Sequence, residues 1–166
     1  IALAQDHGLT LMVHQQRRFE ADFQRMLELV AAGAVGDPWR IVVNRTHQGL
    51  YQSSTPQAPH VGADVLPWVH EPASGGGVGR IIGPHPVDHM LTLAGSEVVA
   101  VDGRTRIDAG GVDEWISIDV DFASGASGHV EVFRRSGIAP PRFVVYGSGG
   151  TIVAPDGRSL EIEQGG

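Results

Sequence analysis

Three residues in the stretch 75–90, "GGGVGRIIGPHPVDHM", carry chemistry at a spacing that brings them together. His85, Asp88 and His89 stand at i, i+3 and i+4, which puts them on one face of a helix, with Thr92 one turn further on. Such a stripe, opposite an apolar one made by Val87, Met90, Leu91 and Ala94, is the ordinary pattern of a solvated helix face. Two histidines four apart can also share a metal ion. Here the glutamate of H-E-x-x-H is missing and the sequence offers no third ligand, so no metal is assigned. The third reading makes His85 a general acid or base, because histidine titrates near neutral pH. Its place at the start of a helix, after a glycine approach, suits close contact between ligand and backbone.

Other candidates are weaker. Arg17 and Arg18 precede a helix and could grip a carboxylate or phosphate in bidentate fashion, although solvated arginines are commoner. Trp68 and His70 could cover a ligand, or the tryptophan could pin its loop to the core. "GSGG" at 147–150 lies between two strands rather than before a helix, which predicts a hairpin turn and not a phosphate cradle. There is no G-x-S-x-G and no P-loop. "GGGVGR" is not a dinucleotide fingerprint, since no strand-turn-helix leads to a ribose-binding acid.

Elements of a single domain must position these residues. The chain has 166 residues, 42% of them apolar, enough for one core and against disorder. A net charge of −7 argues against nucleic acid or an anionic membrane as partner, and leaves a small-molecule ligand. No run approaches the roughly eighteen apolar residues of a membrane span. Cysteine is absent, which removes disulfides and thiolate chemistry and fits a cytoplasmic protein. The start at Ile1, in helix-like sequence without methionine or a signal peptide, reads as a fragment.

"IALAQDHG" reads as the last turns of a helix capped by Gly8, and "LTLMVH" as a short strand. Phe23, Met26, Leu27 and Val30 mark an amphipathic helix stopped by Gly33 and Gly36. "PWRIVVNRT" is a strand. Residues 47–75, with four prolines and no period, form a long loop. A second helix starts near Pro84 and Pro86 and ends at Gly95. Ile116, Ile118, Val120 and Phe122 then alternate with Ser117, Asp119 and Asp121, and "HVEVFRR", "RFVVYG", "GTIVA" and "SLEIE" continue as strands joined by short turns. The expectation is an α+β fold, an antiparallel meander with two main helices.

Three of these segments, in order, resemble the C-terminal part of the Gfo/Idh/MocA oxidoreductases. They are "LTLMVHQQRRFEADFQRMLELVAAGAVGDPWRI", "GGGVGRIIGPHPVDHMLTLAG" and "RFVVYGSGGTIVA". The resemblance implies an α+β domain with both helices on one sheet face, related to dihydrodipicolinate reductase and the C-terminal domain of glyceraldehyde-3-phosphate dehydrogenase. Residues 1–13 would be the tail of an N-terminal Rossmann domain that binds NAD or NADP, and 14–166 the substrate domain. That domain would form a homodimer or homotetramer through its sheet. It implies His85 as the catalytic proton donor or acceptor, with Gln16, Arg18, Trp68 and Asp88 around the substrate, a secondary alcohol or ketone of sugar, polyol or dihydrodiol type. No cofactor-binding residue is expected in this chain, and without the other domain it would be inactive. Two positions depart from the family pattern: Ile81 stands where an aspartate is usual, and Gln16 where an asparagine is usual. Isoleucine can neither ionise nor hydrogen-bond, which points to a less polar substrate or to a relative that has lost catalysis.

Overall fold

The computed structural model describes residues 1–46 and 67–165, so most of the long loop predicted at 47–75 lies outside the described residues. The helices are α1 (Ala2–Asp6), α2 (Ala21–Ala31), α3 (Val78–Ile81) and α4 (Pro84–Ala94). The strands are β1 (Pro38–Thr46), β2 (Val98–Ile107), β3 (Asp113–Phe122), β4 (Ser127–Phe133), β5 (Phe143–Gly147), β6 (Gly150–Ala154) and β7 (Glu161–Gln164). They form one sheet in the order β2-β3-β4-β1-β5-β6-β7. The predicted α+β class holds. The meander is interrupted once: β1 inserts between β4 and β5, parallel to β4 and antiparallel to β5. The "GSGG" segment is the predicted hairpin, with Gly147 opposite Gly150.

α4 lies on β1 and β4, and α3 on β3 and β4. The core forms where these helices meet Ile41, Val43, Val120, Val130, Val132, Phe143, Val145 and Ile152. α2 adds Phe23 and Met26, both fully buried, and Gly33 and Gly36 end the turn after it in the left-handed conformation. The approach of α4 to the sheet depends on Gly128, where an added Cβ would run into the Met90 side chain. The register places Arg40, Ser117, Asp119, His129, Glu131 and Tyr146 together on the opposite, polar face.

Three expectations fail. "LTLMVH" has no strand partner among the described residues, and Leu9, Leu11, Met12 and Val13 are exposed. Alternation alone cannot make a strand without a neighbour to bond. β2 is a strand beyond those expected, with an Asp-Gly pair in its middle. The fully buried stripe of α4 is Pro86, His89, Met90 and Leu93; of the expected face Met90 is buried and Val87 and Ala94 pack partly buried against the core, but Leu91 is exposed, while His89 is 1% exposed. His89 therefore leaves the solvated stripe and joins the core.

Candidate active site

The two sequence segments that carry the candidate residues meet at the start of α4. Residues Gln16–Phe19 form a short 3-10 turn that crosses the helix, and this segment is tied down in three places. Gln15 Oε1 lies 2.8 Å from His85 Nδ1. The Arg17 carbonyl lies 3.0 Å from His89 Nε2. Arg18 donates from Nε and Nη2 to both Asp88 oxygens, at 2.7 and 2.5 Å.

Each contact fixes a chemical state. An amide oxygen only accepts, so the His85 proton sits on Nδ1 and Nε2 keeps its lone pair. Burial lowers the His85 pKa below 6.5, and the Arg17 and Arg45 charges lower it further against the pull of Asp88. At neutral pH His85 is thus an uncharged imidazole with a basic nitrogen free of Gln15. By the same logic His89 donates from Nε2 to a carbonyl. Its ring stacks on Phe23 with centroids 4.0 Å apart, and burial pushes its pKa down to about 4. His89 is a satisfied core residue, one ring nitrogen held by the Arg17 carbonyl and the ring stacked on Phe23. The Asp88 carboxyl is held below its usual range, first by the Arg18 hydrogen bond.

A layer of charge supports the 3-10 turn. Glu20 takes Arg17 at 2.6 Å, Arg45 at 2.8 Å, and Arg142; Arg142 also reaches Asp22 at 2.5 Å. Burial lowers Arg45 and Arg142 to about 10, so both remain cations at neutral pH.

Three predicted residues, His85, Arg18 and Asp88, are therefore brought together. Gln16 is not: it is exposed, and its neighbour Gln15 makes the contact with His85. The 3-10 turn sets this register, a detail that side-chain type cannot reveal in a Gln-Gln pair. Trp68 sits in the 3-10 turn Pro67–His70, 40% exposed, with no recorded contact to His85 among the described residues. Ile81 ends α3 packed against the core. The carboxylate nearest that helix comes instead from Asp113 on β3, which accepts the Gly79 N–H; Gly77, at φ 106°, has no Cβ to obstruct it.

A family model described as the GFO/IDH/MocA C-terminal domain matches residues 23–153. The chain belongs to this family. Among its relatives, the Bacillus subtilis (strain 168) protein YrbE, an uncharacterised oxidoreductase, is 24% identical over 98% of this chain and 45% of its own length. A Listeria innocua NAD-binding protein superposes with a TM-score of 0.80 at 26% identity, over 97% of this chain and 43% of that one. An Agrobacterium radiobacter oxidoreductase, solved with NAD+, L-tartaric acid and magnesium, has a TM-score of 0.75 at 21% identity, over 98% and 46%. The chain thus spans under half the length of these relatives. No helix among its described residues is long and apolar enough to cross a membrane.

Proposed function

We propose that this chain is the substrate domain of an NAD- or NADP-dependent oxidoreductase acting on a secondary alcohol or ketone of sugar, polyol or dihydrodiol type. His85 takes the hydroxyl proton on oxidation and returns it on reduction. The observation that carries this reading is the neutral His85, its Nδ1 proton held by Gln15 and its Nε2 left basic beside the Arg18–Asp88 pair. Gln15 fixes the tautomer, and Asp88 and Arg18 hold the 3-10 turn against α4, where polar groups of a substrate would be received.

The described residues do not fit a dinucleotide. The 147–150 glycines are closed by hairpin pairing, Gly76 packs against Val69 and Gly77 against Asp113. Nicotinamide chemistry is therefore assigned to an N-terminal Rossmann domain, with residues 1–13 as its tail and 14–166 as this domain. The bare Leu9, Leu11, Met12 and Val13 support that boundary, as apolar side chains that a neighbouring unit would cover. On this reading the domain is inactive by itself, works in the cytoplasm, and joins copies through the polar sheet face.

The test is turnover by the complete enzyme with either nicotinamide cofactor and a panel of secondary alcohols. His85→Ala should lower kcat about a hundredfold or more; an unchanged kcat removes His85 from proton transfer. A second reading, a binding or assembly module without catalysis, is favoured by Ile81, which leaves the motif aspartate's position apolar. Turnover of any alcohol by the complete protein ends it.

A further inference from the structure

We propose that β2 is a self-pairing edge, at which two copies of this chain join antiparallel about a two-fold axis through Gly103. This inference is independent of the function proposed above; Asp102 and Arg104 share a sheet face with Asp119 and Ser117, so it is the linkage at Gly103 that separates edge pairing from association through that face.

β2 is ten residues long and ends the sheet; among the described residues it pairs only with β3. Every one of its residues is exposed, Val99 and Val101 to 64% and Ile107 to 53%. An edge this long and apolar normally carries like charges, or is kinked or covered, so that a second strand cannot add to it. The charges on β2 do the reverse. In an antiparallel pair centred on Gly103, Asp102 stands opposite the partner's Arg104, and Arg104 opposite the partner's Asp102. Val101 then meets the partner's Thr105, and Val99 the partner's Ile107.

The backbone agrees with this register. Asp108 N–H bonds inward to Val112 O, so by alternation the groups of Ile107, Thr105, Gly103 and Val101 point outward. Gly103 would then face its own copy as a hydrogen-bonded pair. The flanking Asp102 and Arg104 would fall in the closer, non-hydrogen-bonded positions, where cross-strand ion pairs are strongest.

The single copy also leaves a charge poorly served. Asp102 lies directly opposite Asp119 of β3, two like charges on one face. Asp119 has His129 at 2.7 Å, whereas the cation recorded nearest Asp102 is Arg104, at 4.0 Å on the same strand with both side chains exposed. The partner's Arg104 would bring a cation to this carboxylate pair from across the edge.

A cysteine at Gly103 tests the geometry, because these 166 residues have none of their own, and the full-length protein without added cysteines serves as the blank. An added Cβ there meets only the Ser117 carbonyl, at 3.8 Å. Hydrogen-bonded antiparallel partners stand about 5.5 Å apart at Cα, within disulfide range. Mild oxidation of the Gly103→Cys protein, in the full length its cell produces, should give a disulfide-linked dimer. A Gly137→Cys control, where an added Cβ would meet nothing within 4 Å, should remain largely unlinked. In the protein without added cysteines, Asp102→Arg and Arg104→Asp should each weaken self-association tenfold or more by sedimentation, and the double exchange should restore it within threefold. Equal linkage at 103 and 137, or a double exchange no better than either single, overturns the proposal. So does a Gly103→Cys protein that stays unlinked while its circular dichroism is unchanged.

Discussion

The start of α4 and the polar face of the sheet each hold a histidine among carboxylates and arginines, yet the two settings have opposite sign. His85 lies near Arg17 and Arg45, cations that with burial disfavour its charged form. His129 lies between carboxylates, Asp119 Oδ1 at 2.7 Å and Glu131 Oε2 at 3.9 Å. One residue type is thus set beside cations in one place and between carboxylates in the other. His89, one turn from His85, adds a third case: burial against Phe23 makes it part of the core.

These contrasts can be broken in order of size. The largest effect belongs to His89. Its pKa of about 4 in the fold compares with 6.5 in an exposed chain, so unfolding takes up a proton between these values. Its contribution is complete above pH 6.5 and drains away as pH falls toward 4, on the order of 3 kcal/mol. Urea unfolding between those pH values should show this slope in the wild type, and His89→Gln should flatten it. A slope unaltered by the substitution would place the acid sensitivity elsewhere.

Next comes His85→Ala, for which a hundredfold loss of kcat corresponds to about 2.7 kcal/mol of barrier. Arg17→Met should act more gently. It removes a charge that depresses His85, so the acid limb of kcat/KM for alcohol oxidation should move to higher pH, toward 6.5, with the plateau retained. A limb that stays in place would mean that burial and Arg45 set it without Arg17. Smallest of all, Asp119→Asn weakens a half-exposed hydrogen bond to His129 and should cost about 0.5 kcal/mol in thermal or urea unfolding. A loss several times larger would show that the polar face is not merely solvated.

Periodicity made α2, β1, β3 and β4 legible, because their alternating or helical stripes face a real core. Other features depend on partners that local pattern does not contain. "LTLMVH" has a strand's composition without a neighbouring strand, while β2 gains its place from β3 despite the Asp-Gly at its centre. His89 could have been found from Pro86, Met90 and Leu93, whose spacing runs the buried stripe through it. The choice of Gln15 over Gln16 could not, since it rests on the phase of one 3-10 turn. His85, Arg18 and Asp88 were legible through family resemblance, and their meeting became visible only in three dimensions.

The insertion of β1 between β4 and β5 also shapes how the chain reaches this fold. The middle strand of the sheet is made early in the sequence, but its partner Ser127 lies 87 residues beyond Arg40. During synthesis β1 must wait, with both edges unpaired, until most of the domain has followed it. The loop that closes is long, and its entropy is spent before the central ladder repays it. Folding should therefore be slow and strongly cooperative. A chain stopped after β3 would hold α2, α4, His85, Arg18 and Asp88, yet lack both Arg142 and a sheet centre on which to assemble them.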